Sequence, residues 1–298
     1  MIHRYTMTHT ENDSDISDGS RPNGILVAVG GNEDKEQDLS VLRTIKNLVK
    51  KEIVNIEIIT TASEIPVEIG EAYVRAFEKI GGNNLGLLHI KTREQAMDDE
   101  IIQRIKKTDI VFFCGGDQLK ITSVLGGSPL LHEIKRRFQE EYLVVAGTSA
   151  GATALPDIMI YDGESHEALL KGTVSITGGI GLIKGIVIDS HFIVRGRFSR
   201  LMQVISMNPG CIGLGLGEDT GVIIENGCTL KAIGFGLVVI FDGSEILYTN
   251  VAHINDKEAI AVENMRIHTI VKDHGYDLNR RTYLKPAEVE VLPLISNQ

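Results

Sequence analysis

The first strong hydrophobic block is Ile25-Leu26-Val27-Ala28-Val29, closed by Gly30-Gly31. A short, continuous, β-branched-rich run stopped by glycine reads as a strand buried on both faces of a parallel sheet. Leu39, Leu42, Ile45, Leu48 and Val49 then recur at helical spacing and predict a helix over 36–51. The alternation continues with strands at 56–60, 85–90, 109–114 and 142–146 and helices at 67–80, 94–107 and 128–141. Strand–helix alternation of this kind predicts an α/β fold with a mostly parallel sheet and helices on both faces. Right-handed crossovers bring the carboxyl ends of the strands to one edge, where such sheets bind ligands. The glycine stops at Gly30, Gly115 and Gly147 all fall on that edge.

Beyond about residue 172 the pattern changes to short apolar runs separated by glycines, at 186–189, 211–216, 221–224, 229–233 and 237–241. These predict mixed or antiparallel strands that extend the sheet, with a helix near 197–207. No Pro/Ser-rich linker divides the chain. The expected organisation is a polar, disordered tail over 1–22 and a single α/β domain over 23–298.

Composition narrows the function classes. The chain of 298 residues is 43% hydrophobic and 23% charged, ordinary globular values. Forty acidic against 30 basic residues give a net charge of -10. Nucleic-acid or anionic-membrane binding would need a local basic patch against that field. No stretch approaches about 18 apolar residues, and 1–22 lacks the apolar core of a secretory signal, so a cytoplasmic protein is expected. Cys114, Cys211 and Cys228, odd in number and widely spaced, suggest neither a disulfide framework nor a zinc site.

The chemistry concentrates at Gly147-Thr148-Ser149-Ala150-Gly151, a G-x-S-x-G pentapeptide directly after a predicted buried strand. In that setting a sharp strand-to-helix turn strains the serine and exposes its hydroxyl. A serine needs a base within hydrogen-bond reach, and the base needs an orienting group. Of nine histidines, His191 alone follows a predicted strand (186–189) at the expected edge. A carboxylate could come from Gly217-Glu218-Asp219-Thr220, and spacing does not choose between Glu218 and Asp219. The order Ser–His–acid argues against an α/β-hydrolase, whose acid precedes its histidine. Backbone N–H groups of Gly116 and Ala150 could form a two-donor oxyanion hole. Arg195, Arg197 and Arg200 lie within six positions of an acidic chain and suggest carboxylate recognition.

Four segments in order resemble the cyanophycinase family, which groups with the dipeptidase E serine peptidases. They are Gly115-Gly116-Asp117-Gln118, Gly147-Thr148-Ser149-Ala150-Gly151-Ala152, Asp189-Ser190-His191-Phe192 with Arg195-Gly196-Arg197, and Gly215-Leu216-Gly217-Glu218. The similarity spans about Gly24 to Asp242. It implies a flavodoxin- or class I amidotransferase-like three-layer sandwich. It implies exo-cleavage of cyanophycin, multi-L-arginyl-poly-L-aspartate, to β-Asp-Arg dipeptides, with Ser149 as nucleophile, His191 as base and Glu218 as orienting acid. It implies substrate contacts by Asp117, Gln118, Asp189, Ser190, Arg195, Arg197 and Arg200, with Asp189 pairing with the substrate's arginine. A homodimer without metal or organic cofactor is expected. Ser190 departs from the glutamine usual before the histidine, which bears on specificity. The alternatives are an aspartyl dipeptidase of the same fold and a non-catalytic binding protein. A class I amidotransferase would carry cysteine at the turn, and Gly30-Gly31 lacks the G-x-G-x-x-G of a dinucleotide site.

Overall fold

The computed structural model describes residues 21–165 and 169–290. Of the expected 1–22 tail, positions 1–20 lie outside the described residues. The first half of the chain alternates as the pattern predicts. Strands β1 (Ile25–Val29), β2 (Asn55–Ile59), β3 (Asn84–Leu88), β4 (Ile110–Phe113) and β5 (Val144–Thr148) pair in parallel in the order β1-β5-β4-β2-β3. Alternate residues of β1 face opposite layers. Val27 and Val29 join a core with Leu42, Ile45, Tyr73 and Phe77 from helices α1 (Ser40–Asn47) and α2 (Pro66–Lys79). Leu26 and Ala28 join the opposite core, with residues of α3 (Asp99–Ile105), α4 (Gln118–Leu125) and α5 (Pro129–Glu140). Both faces of the strand are therefore apolar, which is why its sequence does not alternate.

Side-chain caps explain where helices depart from the periodicity. The Asp34 carboxylate accepts the N–H groups of Glu36, Gln37 and Leu39, which holds that stretch as a loop and delays α1 to Ser40. Asp98 caps α3 by accepting Glu100 N–H and separates it from a preceding 3₁₀ turn, so the single helix expected over 94–107 is broken. Helix α4 has no counterpart among the expected elements. Asp117 starts it by accepting Leu119 N–H at 2.8 Å.

The second half corrects the expectation of one extended sheet. Strands β10 (Thr220–Glu225) and β11 (Thr229–Gly234) do extend the central sheet, antiparallel, beyond β1. Strands β16 (Gly275–Asp277) and β17 (Thr282–Leu284) complete its nine strands among the described residues. The runs at 186–189, 211–216 and 237–241 instead form a second sheet, in the order β15-β12-β9-β8, from β8 (Ile186–Asp189), β9 (Ile212–Leu216), β12 (Leu237–Asp242) and β15 (Arg266–Val271). One face of it, with Ile188, Leu214 and Ile240, joins the core below the central sheet. The other face, with Val187, Val239 and Phe241, packs on Leu201, Val204 and Ile205 of α7 (Phe198–Met207). Two small ribbons, β6–β7 (Ile158–Asp162, Ser175–Gly178) and β13–β14 (Tyr248–Thr249, Val262–Glu263), and helix α8 (Pro286–Glu290) are peripheral. Between β9 and β10 the chain crosses from one sheet to the other through residues 217–219, beside the end of β1. No helix among the described residues is long and apolar enough to cross a membrane.

Buried Asp242 ties the C-terminal strands to β12. It accepts from Arg266 Nη2 at 2.6 Å, from the Arg281 guanidinium and from Tyr276 Oη at 3.2 Å. Burial alone would raise its pKa. The Ser244 backbone N–H and the Arg281 guanidinium outweigh burial and hold it at about 2. A depressed folded-state pKa gives stability that is complete above the ordinary carboxylate value and fades as pH falls toward that of the folded group. Asp242→Asn, which takes the counter-charge from Arg281 and leaves Arg266 with only Glu245, is expected to cost about 3 kcal/mol in urea unfolding at neutral pH. The wild type should lose that increment between roughly pH 4 and pH 2, and the variant should not.

Candidate active site

Ser149 sits between β5 and the short helix α6 (Ala150–Thr153), with φ 53° and ψ -116°. A non-glycine residue held there stores about 1–3 kcal/mol of backbone strain. Backbone bonds fix it: Ser149 N–H donates to Val29 O at 3.0 Å, and Thr153 N–H donates to Ser149 O at 2.9 Å. The flanking glycines are required by space. A Cβ on Gly147 would lie 2.6 Å from the Gly151 backbone, and one on Gly151 would lie 2.3 Å from Phe113 O.

His191 follows β8, and its φ of 49° is also left-handed. Its N–H donates to Gly30 O at 2.8 Å, and its ring lies so close to Gly31 that a Cβ there would meet Cε1 and Nε2 at 2.5 Å. The ring bridges two groups: Ser149 Oγ is 2.9 Å from Nε2, and Glu218 Oε1 is 2.7 Å from Nδ1. A carboxylate opposite Nδ1 puts the ring proton there and leaves Nε2 as acceptor for the serine hydroxyl. The structure also separates the two candidate acids. Glu218 faces the imidazole, whereas Asp219 turns back to accept Asp34 N–H at 3.0 Å. The His191 ring, and then the Asn32 amide donating to Oε2 at 2.9 Å, hold the Glu218 carboxyl below its usual pKa.

The loop after β1 touches this group at several points, and sequence patterning missed it. Asn32 reaches Glu218, and Gly31 O accepts Asp219 N–H at 3.0 Å. Glu33 is buried behind the serine turn. Its Oε2 accepts the Thr148 hydroxyl at 2.6 Å, and its Oε1 accepts the Tyr73 hydroxyl. Lys35 donates to Glu33 O at 2.9 Å and sits over the Tyr73 ring. Burial, reinforced by the Glu33 charge, pushes the pKa values of Tyr73 and Cys114 up. The Gly30-Gly31 pair at a strand end was the available signal. Nothing in the charged run that follows marks Glu33 as buried and Glu36 as exposed.

Two cavities meet at the exposed Arg195. One, of about 460 Å³, contains Ser149, His191 and Glu218 and is walled by Lys35, Ile65 and Tyr73. The other, of about 610 Å³, is lined by Gln118, Asp162, Glu164, Arg195, Arg197 and Arg200. Gln118 donates to Ile160 O at 2.9 Å, which fixes its amide at the cavity wall. Asp117 is committed to capping α4. Gly115 lines the serine cavity, while exposed Gly116 packs its α-carbon against Ala62 O. Neither Gly116 nor Ala150 N–H is bonded to a backbone carbonyl among the described residues.

Asp189, expected to contact substrate, lines neither cavity. It is fully buried at the end of β8, and its oxygens are taken by Arg200 Nε and Nη2 (3.0 and 2.9 Å) and Arg197 Nη1 (3.0 Å). A carboxylate with no exposed surface and two guanidinium groups against it is shielded from a substrate arginine. Arg200, itself buried, also donates to Gly163 O at 2.8 Å, so it stiffens the wall. Ser190 is buried as well, lines neither cavity, and its carbonyl accepts from Arg197 at 2.8 Å.

The model of peptidase family S51 matches residues 25–231 of this chain. A cyanophycinase of Trichormus variabilis is 34% identical over 259 residues, covering 87% of each chain. A cyanophycinase of Geminocystis herdmanii is 32% identical over 258 residues, covering 87% of this chain and 94% of that one. Among solved structures, a peptidase from an acI-B1 Actinobacterium superposes with a TM-score of 0.65 at 20% identity, covering 87% of this chain and 98% of the other, which bears on the fold. With its serine, histidine and glutamate joined by hydrogen bonds between the ends of the two sheets, the chain belongs to peptidase family S51 and is a serine-type peptidase.

Proposed function

We propose that the protein is an exopeptidase that releases β-Asp-Arg dipeptides from cyanophycin through an acyl-enzyme, with Ser149, His191 and Glu218 as its catalytic residues. The observation that carries this is the unbroken Ser149–His191–Glu218 hydrogen-bond chain beside an arginine-lined cavity. The cyanophycinase relatives support the substrate class.

Ser149 Oγ attacks the scissile carbonyl as its proton passes to His191 Nε2. Glu218, kept ionised by its two donors, orients the ring and stabilises the imidazolium that forms. The N–H groups of Gly116 and Ala150 receive the developing oxyanion. His191 then protonates the departing amine and later removes a proton from the water that resolves the ester. Arg195, exposed where the cavities join, takes a substrate carboxylate through its planar fork. With Asp189 occupied, the substrate guanidinium pairs with Asp162 and Glu164 on the cavity wall. In this proposal the enzyme works as a cytoplasmic homodimer without a cofactor.

Ser149→Ala should keep its thermal midpoint and lose at least about a thousandfold in hydrolysis. Mass analysis of products should find β-Asp-Arg from cyanophycin and little turnover of other aspartyl dipeptides. The reverse preference would make the enzyme an aspartyl dipeptidase. Arg195→Ala should raise KM roughly ten- to hundredfold, the equivalent of one lost charge-assisted bond, with a smaller change in kcat.

A further inference from the structure

The strained turn at Ser149 is held on its backbone by Val29 O and Thr153 N–H. Its side-chain anchor is the residue before it. Thr148 is buried, and its hydroxyl donates to the Glu33 carboxylate at 2.6 Å. Glu33 is buried too, with no role in proton transfer and no exposure to a substrate. Its second oxygen is taken by the Tyr73 hydroxyl, and the Lys35 ammonium lies 3.6 Å from Oε1 as counter-charge. Tyr73 is fixed in turn by Phe112 of β4, with ring centroids 4.8 Å apart. Such an ion in the core is costly unless each oxygen is satisfied and its charge compensated, and here both conditions hold.

A purely structural carboxylate could sit anywhere in the layer. This one grips the residue whose ψ leads into the left-handed serine. It also stands two residues after Gly31, which packs on the His191 ring, and one after Asn32, which holds Glu218. We propose that Glu33 is a positioning residue for the nucleophile: through the Thr148 hydroxyl it keeps the Ser149 turn in the conformation that directs Oγ at His191. Without that anchor the turn relaxes toward an unstrained backbone. Oγ then leaves the imidazole, while the arginine-lined cavity, which contains neither Thr148 nor Ser149, is unchanged. This inference rests on Ser149 being the nucleophile.

The test separates hydroxyl from shape. Thr148→Val is isosteric without the donor, and Thr148→Ser keeps the donor in a smaller side chain. Hydrolysis of cyanophycin should show kcat reduced roughly ten- to hundredfold in Thr148→Val with KM within about twofold, and kcat largely recovered in Thr148→Ser. Glu33→Gln keeps an acceptor for the Thr148 hydroxyl but loses the charge, so it should lower kcat less than Thr148→Val, and combining the two should add little to the loss in Thr148→Val alone, because both act on the same link. Tyr73→Phe, which leaves the Thr148 bond in place, gives a smaller fall and serves as the second probe should Glu33→Gln fail to fold. An active wild type with unchanged kcat in folded Thr148→Val, or an equal fall in Thr148→Val and Thr148→Ser, would overturn the role of Glu33 alone. Full hydrolysis by Ser149→Ala would overturn the assignment of the nucleophile and this inference with it.

Discussion

Left-handed backbone at three non-glycine residues, Asn32, Ser149 and His191, is the constraint on which the proposed catalytic arrangement depends. Each lies just past a strand, where the chain must reverse within one or two residues. Past these reversals the Ser149 and His191 side chains meet, and Asn32 reaches Glu218. Together the three positions cost several kcal/mol, on the order of 1–3 each, which only a rigid surround can hold. Two packed sheets and the loop after β1 supply it. Gly30 and Gly31 provide the carbonyls that accept His191 and Asp219 N–H groups; the bare α-carbon of Gly31 lets the imidazole approach, and that of Gly30 lets Gly217 O approach. The loop thus links the segments that carry Ser149, His191 and Glu218, which are far apart in the chain.

Buried charge is managed the same way throughout. Glu33 has Lys35 and two hydroxyls, Asp189 has Arg197 and Arg200, and Asp242 has Arg266 and Arg281. In each cluster the carboxylate lies inside and its cation is more exposed. Such clusters fix geometry more than they add stability, because desolvation offsets much of their attraction. Near the site this yields a stiff wall, with Arg195 at the junction of the two cavities left exposed to solvent.

The parallel half of the fold was legible because its strands are mainly apolar, unbroken in β1 and β4 and interrupted in β2 and β3 only by single positions such as Glu57 and Gly86, and because most of its helices repeat at their own period. The serine turn was legible for the same reason: glycines crowd a strand end only where backbones nearly touch. The second sheet was not. A strand buried in one sheet has the same apolar pattern as a strand buried in another, so β8, β9 and β12 could not be told from extensions of the first. His191 was found by its place at a strand end, although the strand belongs to the second sheet. Glu218 and Asp219 were inseparable by spacing, since a one-residue difference in a turn decides which carboxylate faces the ring. Asp189 looked available because sequence does not show that Arg197 and Arg200 fold back on it within a helical turn. Glu33 and Asn32 were missed because a polar loop carries no periodicity.

Reaction with a fluorophosphonate, followed by proteolysis and mass mapping, tests most directly whether a hydroxyl, an imidazole and a carboxylate act as one unit. The account predicts a single adduct on the peptide containing Ser149, formed rapidly in the wild type and at least about a hundredfold more slowly in His191→Ala. Folded, hydrolytically active protein that takes up no label at Ser149, or labels there equally fast without the imidazole, would contradict it.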